Sequence, residues 1–495
     1  MIVVVLIPML AALEFRAQDV PGLRVDAVHP LTAAASLNCV QADLDGDGAA
    51  DLVFPREVAF QRGGGFPREA RVSLPDSGEQ AFLDVWRGEL YLFFAEHLSV
   101  MRRRGDEWQS VLSQTIAWPA TEAGVLPLRG PGRAAALRQR RLHDFDGDGV
   151  PEIVVTNPQG VHVFRHNGKQ YVPAGLLEVL PQLALQPGQE ARVWPPETRR
   201  LAFPPREMAC RLLFDGQRLC VLARTDVSQT EVRYRQVNHT VQRTADGEFA
   251  VAPDLTEEWV SDNVPAYMQP CRLNTDGRVD FAGGYWDTVQ GGVLPGPLYT
   301  ARATLDGGAS YAIRRARTFW PHCGFVDFDG DGNLDMVVES NDVLEGGARE
   351  AVLRYLTHSR IAHELRVYRQ DRGAFAETPA LTHRVVVQLD RPPVAGTPFF
   401  QRRHRAGLLN LSGDFNGDGY KDLVVQDRSD RLAVFLSRGF SLPESPDVLI
   451  PLEFDATFAV ADVNLDGRSD VIVRATSADR AAEGSRVHFA MEGAP

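Results

Sequence analysis

Five short segments of the chain place carboxylate or amide side chains at alternating positions, a pattern that suits binding of a divalent cation. Each segment carries an oxygen-bearing side chain at positions 1, 3, 5 and 9, a glycine at position 6, and three strand-forming residues after position 9. Carboxylates this close repel one another at neutral pH unless solvent or a cation neutralises them. The predicted metal ligands are Asp43, Asp45, Asp47, Asp51, Asp144, Asp146, Asp148, Glu152, Asp327, Asp329, Asp331, Asp335, Asp414, Asn416, Asp418, Asp422, Asp462, Asn464, Asp466 and Asp470.

All of these ligands are oxygens on short loops, which favours Ca²⁺ over Mg²⁺, with its stricter octahedral geometry, and over zinc, which prefers Cys or His. The sequence therefore predicts about five calcium sites. An EF-hand needs a Glu at position 12 and flanking helices, whereas position 12 here is Phe54 or valine. The remaining alternative is a set of polar Asp-Gly turns that bind no ion.

A sixth segment is eroded, because Arg272 replaces the first acid. Asn274, Asp276 and Asp280 are retained there as weak candidate ligands. Two further units, near Asp84 and Asp215, have lost the other acids, and we expect no ion in either.

The recurrence of the acidic segments predicts which β-strands hold these turns in place. A second β-rich run with a Gly-rich turn follows most acidic segments, so each unit reads as two β-hairpins. Four-stranded units of about 40–50 residues are typical of a β-propeller. The spacing favours eight blades over seven; a β-helix or two sandwiches are the structural alternatives. The units are predicted at about 35–75, 80–115, 138–172, 208–250, 268–315, 321–380, 408–445 and 457–492 of a single domain over 20–495. We predict that 23–28, before the first unit, is the strand that completes the last blade.

The phrases at 327–335 and 414–422 resemble the FG-GAP or VCBS repeat. That family includes the calcium-binding propellers of integrin α-chains and many exported bacterial proteins. The resemblance spans most of residues 35–495. It implies a propeller whose calcium loops lie on one rim, away from the usual ligand face, with the ligands at the positions given above.

The N-terminal sequence and the net charge indicate where the protein is located and which classes of partner it can bind. Residues 2–13 form an apolar run, and we predict a signal peptide over 1–17 and an exported product in the periplasm, in the medium or at the cell surface. A buried N-terminal strand, or a start site that clipped a longer leader, is the alternative. The net charge of −13 argues against a nucleic-acid partner. No segment predicts a membrane span.

Cysteines and one aromatic segment give further candidates. Cys210 and Cys220 lie five residues on either side of Asp215, and a tight turn would place them opposite each other for a disulfide; Cys210 with Cys271 is the competing pair. Cys39 and Cys323 are predicted as buried thiols. Tyr285, Trp286 and Asp287 are the predicted ligand-contacting residues, and packing at a blade edge is their alternative role.

The predicted function is a binding or adhesion module for a protein or glycan, because the sequence contains no HExxH, no Cys-x-x-Cys and no Gly-x-Ser-x-Gly. We therefore predict no catalytic residues. The alternative is a propeller enzyme, a lyase or hydrolase acting on polysaccharide, and a third possibility is a structural surface protein without a specific ligand.

Overall fold

The structure is a computed structural model that describes residues 13–25, 37–75, 82–118, 141–145, 147–157, 160–178, 192–194, 209–214, 218–227, 232–243, 249–261, 269–271, 273–274, 280–287, 298–305, 310–317, 323–341, 360–371, 373–388, 409–453, 456–475 and 484–492. Within these ranges the only helical segment is the 3₁₀ turn Arg68–Ala70, which confirms the all-β prediction. Among the described residues, the structure contains no helix that could span a membrane.

The strands of the described residues form eight sheets of four or five strands and one separate two-stranded hairpin. The eight larger sheets are numbered here in chain order, and neighbouring strands within them are mostly hairpin-connected and antiparallel. Sheet 1 contains β2 (Val40–Ala42), β3 (Asp51–Val53), β4 (Glu57–Ala59) and β5 (Arg71–Ser73). Sheet 2 contains β6 (Phe82–Trp86), β7 (Glu89–Phe93), β8 (His97–Arg104) and β9 (Glu107–Thr115). Sheet 3 contains β10 (Leu142–His143), β11 (Glu152–Asn157), β12 (Gly160–His166) and β13 (Tyr171–Glu178). Sheet 4 has five strands, β14 (Arg192–Trp194), β15 (Ala209–Phe214), β16 (Arg218–Val227), β17 (Val232–Arg243) and β18 (Phe249–Ser261), with β14 parallel to β15.

The second half of the chain repeats this arrangement. Sheet 5 contains β19 (Gln269–Cys271), β20 (Asp280–Asp287), β21 (Leu298–Leu305) and β22 (Ser310–Arg317). Sheet 6 contains β23 (Cys323–Val326), β24 (Asp335–Asn341), β25 (Arg360–Tyr368) and β28 (Leu381–Gln388), with the small hairpin β26 (Gln370–Asp371) and β27 (Ala374–Phe375) between the last two. Sheet 7 contains β29 (Leu409–Gly413), β30 (Asp422–Arg428), β31 (Arg431–Phe435) and β32 (Val448–Pro451). Sheet 8 contains β33 (Ala456–Ala461), β34 (Asp470–Ala475), β35 (Ser485–Glu492) and, from the other end of the chain, β1 (Leu13–Val20).

The strand that completes sheet 8 differs from the one predicted. We predicted residues 23–28, but β1 occupies this place and pairs with β35 over eight residues, from Leu13 opposite Glu492 to Val20 opposite Ser485. Leu23 is buried beyond the strand end, and Val25 forms only an isolated bridge with Leu37. Leu23 and Val25 therefore serve burial rather than pairing with β35, and residues 26–28 lie outside the described ranges. A leader ending at residue 17 would include five residues of β1; residues 1–12 lie outside the described ranges.

Hydrophobic cores fill the spaces between consecutive sheets. Separate clusters of buried side chains join sheets 1 and 2, 2 and 3, 6 and 7, and 7 and 8. Another core joins sheet 8 to sheet 1, where Phe489 packs with Phe66, so the first and last sheets of the chain are also neighbours.

In the five sheets that carry an acidic turn, most of the described residues of the second strand are buried, which explains the apolar run after position 9. In β30, Leu423 and Val425 belong to the core shared with sheet 6, whereas Val424 belongs to the core shared with sheet 8. Alternate strand residues face opposite sides of a sheet, so a strand covered on both faces needs an unbroken apolar sequence. The outermost strand β28 instead alternates buried and exposed residues.

The closure of sheet 8 depends on a glycine. Gly484 has φ +118°, and a Cβ atom there would lie 2.6 Å from the carbonyl oxygen of Val20 and 2.9 Å from Cα of Pro21. We expect Gly484→Ala to lower the free energy of unfolding by about 3 kcal/mol, because it adds backbone strain and a clash with β1. Gly439→Ala is the matched control: its φ is +65°, but no atom lies within 4 Å of the added Cβ. Its expected loss is about 1 kcal/mol. Equal losses in urea unfolding would show that the contact with β1 contributes nothing.

The predicted placement of Cys220 opposite Cys210 is wrong. Cys210 lies opposite Ala223 and Cys220 lies opposite Leu213 in the register of β15 and β16. This three-residue offset separates their Cα atoms by about 10 Å along the strand direction, beyond the reach of a disulfide. Cys39 is a buried free thiol, as predicted, and burial raises its pKa to about 12.

Candidate metal centres

Each acidic turn connects the first strand of its sheet to the second. The five turns are 43–51 in sheet 1, 144–152 in sheet 3, 327–335 in sheet 6, 414–422 in sheet 7 and 462–470 in sheet 8. The nine positions introduced above describe all five. Asp146, at position 3 of the second turn, lies outside the described residues.

The carboxylate at position 1 folds each turn back on itself. The glycine N–H at position 6 donates to it in all five turns, with N···O distances between 2.8 and 3.1 Å. These position 6 glycines have φ between +85° and +91°, a left-handed conformation that strongly favours glycine. The residue at position 4 also has a left-handed backbone conformation. It is glycine in four turns, whereas the last turn has Leu465, at φ +52°.

The carboxylate at position 5 closes a smaller loop inside the turn. Its Oδ1 accepts a hydrogen bond from the backbone N–H at position 7 in every acidic turn, at 2.7 to 2.9 Å. This Asx-type bond holds the carboxylate in one orientation. The five turns therefore share a backbone-fixed arrangement of acidic groups.

The acid at position 9 is the structural anchor of the turn. One of its oxygens accepts the backbone N–H of position 2, as from Phe415 to Asp422 at 2.7 Å, and this bond recurs in every acidic turn. In four turns the other oxygen accepts a backbone N–H from a residue in the third strand of the sheet or two residues after it. These donors are Gln61, Gln370, Ser437 and Ala490.

Burial disfavours the charged form of these anchoring carboxyls. It raises the pKa to about 6 for Asp51, about 7 for Asp335 and Asp422, and about 8 for Asp470. Backbone hydrogen bonds oppose this effect, and the neighbouring turn carboxylates add to it. A cation placed among these groups would favour the ionised form.

Several buried carboxylate oxygens have no hydrogen-bond donor among the described residues. They are Oδ1 of Asp45, Asp144, Asp327 and Asp329. The Asp329 side chain is only 5% exposed. Candidate ligand atoms of Asp43, Asp45 and Asp51, and those of Asp327, Asp329 and Asp331, lie within 4.8 Å of one another. Oxygens on opposite sides of one Ca²⁺ are about 4.6–5.2 Å apart, so both sets have the spread of a calcium coordination shell.

Arginines approach two of the turns that have Asp at position 3. Arg62 contacts Asp45 at 2.5 Å and Asp47 at 3.0 Å, and Arg369 contacts Asp329 at 2.8 Å and Asp331 at 3.5 Å. These arginines were not among the predicted site residues.

In the two turns with Asn at position 3, the amide itself donates to the acid at position 5. Asn416 donates to Asp418 and Asn464 donates to Asp466, both at 2.9 Å. In the four turns whose position 3 is described, this position thus contributes either a negative charge beside an arginine or a neutral amide.

The degenerate units keep different parts of the pattern. In the unit at 272, Asp280 is fully buried and still accepts the N–H of Leu273 at 2.7 Å, although Arg272 has replaced the first acid. Arg272 and Asp276 lie outside the described residues, and Asn274 is half-buried. Sheet 2 replaces the nine-residue turn with Arg87-Gly88, both at positive φ. The turn at Asp215 lies outside the described ranges.

The predicted ligand-contacting residues lie away from the acidic turns. Tyr285, Trp286 and Asp287 are the last three residues of β20, whereas Asp280, at position 9 of the eroded unit, begins that strand. The structure thus does not bring these three residues together with the acidic groups.

Comparison with known proteins gives a partial family match. Residues 414–473 match the model of the FG-GAP-like repeat. No curated protein matches the chain. Among solved structures, Hsv2 of Kluyveromyces lactis is similar at 11% identity and a TM-score of 0.30, covering 82% of this chain and 98% of its own. The V. cholerae biofilm matrix protein Bap1 has 13% identity and a TM-score of 0.29, and the match covers 97% of this chain and 92% of Bap1. The N-terminal domain of Nup159 has 10% identity and a TM-score of 0.27, and the match covers 97% of this chain and 96% of that domain.

These structural similarities are too weak to support any functional argument. The sequence match is more specific, because it begins at the first acid of turn 414–422 and extends past the last acid of turn 462–470. The chain therefore contains FG-GAP-like repeat sequence across two of its acidic turns.

Proposed function

We propose that the chain is an exported, calcium-binding β-propeller of eight blades that presents a binding surface to a protein or glycan. The observation that carries the calcium assignment is the set of buried, donor-free carboxylate oxygens in the acidic turns. Such oxygens are costly to bury unless a hydrogen bond or a cation compensates them.

Calcium suits this donor set better than other common ions. The ligands at positions 1, 3, 5 and 9 are carboxylates and amides, and backbone hydrogen bonds orient those at positions 1, 5 and 9. Ca²⁺ accepts six to eight oxygens in flexible geometry, whereas Mg²⁺ requires stricter geometry. A bound Ca²⁺ would neutralise the acids and join the first two strands of each sheet through their shared turn.

The propeller assignment is supported by how the sheets follow one another. Cores join five pairs of neighbouring sheets, including sheet 8 with sheet 1. The N-terminal β1 completes the sheet formed by the C-terminal strands. Four-stranded sheets stacked in chain order, with the chain ends sharing one sheet, are the expected result of radial repetition in a closed ring.

The recognition surface is proposed on the side opposite the acidic turns. Successive strands of a hairpin sheet run in opposite directions, so the connection from the second to the third strand leaves from the end away from the acidic turn. The long connections 288–297 and 342–359 are of this kind, following β20 and β24. Long loops on a rigid scaffold are where binding residues concentrate. Tyr285, Trp286 and Asp287 lead into the first of them.

Arg62 provides a test of the calcium assignment. Calcium and Arg62 would compete for Asp45 and Asp47, and a guanidinium near a bound divalent cation repels it. We expect Arg62→Met to strengthen calcium binding at turn 43–51 about fivefold, measured by isothermal titration calorimetry. Arg438→Met is the matched control, because Arg438 pairs with Asp447 instead. Weaker calcium binding by Arg62→Met would mean that the arginine positions the ligands rather than competing with the ion.

The binding function is tested by applying the calcium-loaded chain to a glycan array and to pectin-type polysaccharides. Retention on a defined glycan without product formation supports the proposal, and we expect Trp286→Ala to weaken that retention at least tenfold. Release of unsaturated sugar ends would instead support a polysaccharide lyase. Absence of retention on every glycan would contradict the glycan half of the proposal and leave a protein ligand to be sought by pull-down.

A further inference from the structure

The acidic turns of consecutive sheets are joined by direct backbone hydrogen bonds. The N–H at position 8 of one turn donates to a carbonyl at position 1 or 2 of the turn in the preceding sheet. These links run from Leu334 to Leu273 at 2.7 Å, from Lys421 to Phe328 at 2.9 Å, and from Ser469 to Asp414 at 2.7 Å. They connect the eroded turn of sheet 5 with the turns of sheets 6, 7 and 8.

Side-chain bonds extend this series. Gln41, just before turn 43–51, donates to the carbonyls of Asp462 and Val463 at 2.7 and 2.9 Å, and so joins sheet 1 to sheet 8. Ser469 forms a reciprocal pair, because its hydroxyl accepts the N–H of Asp414 at 3.0 Å. We call this series, from Leu273 to Gln41, the turn chain.

The turn chain passes through the groups that anchor each turn. Phe328 donates its N–H to Asp335, the position 9 acid of its own turn, while its carbonyl accepts from Lys421 of the next turn. Lys421 directly precedes Asp422, the position 9 acid of that next turn. Any shift of positions 8 and 9 as one turn closes on a cation therefore moves the peptide that holds the neighbouring turn.

Close packing reinforces this coupling. A Cβ atom on Gly330 would lie 3.1 Å from the carbonyl oxygen of Gly419, so turns 327–335 and 414–422 touch through their backbones. Cations bound in these two turns would therefore lie on either side of the same closely packed backbone segments. Ordering one turn lowers the entropy that remains to be lost when its neighbour is ordered, and this gives positive cooperativity.

We propose that calcium binding at turns 327–335, 414–422, 462–470 and 43–51 is positively coupled through the turn chain. The proposal rests on the proposed calcium function and adds that these sites fill together. Turn 144–152 has Pro151 at position 8, which has no N–H to donate, so its site is expected to bind independently.

Pro151 also shows how to break one link with little disturbance. A proline at position 8 is compatible with the turn, because turn 144–152 keeps the same position 6 and position 7 hydrogen bonds as the others. Lys421→Pro removes the N–H that reaches Phe328, and Lys421→Ala is the matched control that keeps it. The Lys421 side chain is at neither a ligand nor an anchor position.

The test is a calcium titration of the full chain by calorimetry, with folding of each variant checked by circular dichroism. For wild type and Lys421→Ala we expect a sigmoidal isotherm. For Lys421→Pro we expect the same number of ions, a lower Hill coefficient, and about fivefold weaker binding of the ions that fill last, the effect of losing one hydrogen bond. Identical isotherms for the alanine and proline variants would overturn the coupling while leaving the calcium function intact. Absence of any binding to wild type would instead overturn the calcium function.

A second measurement covers the case in which Lys421→Pro does not fold. Tyr420 lies at position 7 of turn 414–422, where it can sensitise terbium luminescence at that site. Asp466→Asn removes a charged ligand from the neighbouring turn and touches none of the link atoms. We expect it to weaken terbium binding reported by Tyr420 about fivefold. Unchanged terbium binding would overturn the coupling, provided that Tyr420→Phe abolishes the signal in wild type.

Discussion

Excess EGTA is expected to lower the melting temperature of the full chain by about 13 °C. A ligand that binds only the folded state stabilises it by about 2.7 kcal/mol per site at a hundredfold excess over its dissociation constant, or about 13 kcal/mol for five sites. Unfolding entropy scales with chain length and is about 1 kcal/mol/K for 495 residues, so each kcal/mol shifts the melting temperature by about 1 °C.

The measurement is differential scanning calorimetry with calcium, with EGTA, and with EGTA followed by either Ca²⁺ or Mg²⁺ in excess. We expect Ca²⁺ to restore the melting temperature and Mg²⁺ to restore much less, because Mg²⁺ demands a stricter octahedral geometry and gives up its water ligands reluctantly. A melting temperature that does not change in EGTA would contradict the stabilising role of the ion, and full recovery with Mg²⁺ would contradict its identity.

Asp422→Ala is expected to lower the free energy of unfolding by about 4 kcal/mol even in EGTA. Asp422 is fully buried and accepts the N–H groups of Phe415 and Ser437, both at 2.7 Å, and the Ser437 hydroxyl at 3.2 Å. Alanine would leave these donors buried without an acceptor, and each such donor costs about 1–3 kcal/mol. The turn and the end of β31 would lose their common anchor.

Asp418→Asn is the matched control in the same turn. Asp418 is exposed, and an asparagine can still accept the N–H of Tyr420 that Asp418 accepts at 2.9 Å, so that only the exposed bond from Asn416 is lost. We expect this variant to match wild type in EGTA and to lose part of the calcium-dependent stabilisation, whereas Asp422→Ala is weaker under both conditions. Urea unfolding of both variants with and without calcium measures the difference. If Asp422→Ala equals wild type in EGTA, position 9 is only a ligand and the anchor role is wrong.

The separation of anchor and ligand roles is supported by the eroded turn. Asp280 keeps its bond to Leu273 and its burial, although position 1 has become Arg272. Replacement of the first acid by arginine removes one ligand of the ion. An acid at position 9 that served only as a ligand would then have no remaining role in a buried position. The bond pattern explains it, because Asp280 still holds the backbone at the start of β20.

Much of the architecture could be predicted from local sequence. The nine-residue spacing with glycine at position 6 predicted turns between strands, and all five are found between the first and second strands of their sheets. The apolar triplets after position 9 predicted strands, and their burial on both faces follows from sheets packing against one another. These features depend on residues close together in the chain, so local patterns determine them.

Long-range pairings could not be predicted in the same way. The completing strand β1 lies about 470 residues from its partner, and the short segment 23–28 is richer in apolar residues than β1. The Cys210 and Cys220 pairing was wrong because symmetry about Asp215 does not fix the strand register. Register depends on turn geometry and packing, which the residue spacing alone does not contain.

The arginines of the site were missed for a related reason. Arg62 follows Gln61, whose N–H anchors Asp51, but Arg369 precedes Gln370, whose N–H anchors Asp335. The two arginines therefore contact equivalent carboxylates although they occupy different sequence positions relative to the anchoring N–H group. No fixed spacing in the sequence would identify them. The role of Gln41 is also invisible in sequence, since it depends on contact between the first and last sheets.

We propose that the acidic turns hold calcium and thereby stiffen the array of sheets. This is tested by elemental analysis of the full chain, purified without chelator and dialysed against calcium-free buffer. We expect about five calcium ions per chain, falling to about four in a variant carrying Asp45→Ala and Asp47→Ala in turn 43–51. A folded chain that retains no calcium, and takes up none when calcium is returned, would contradict it.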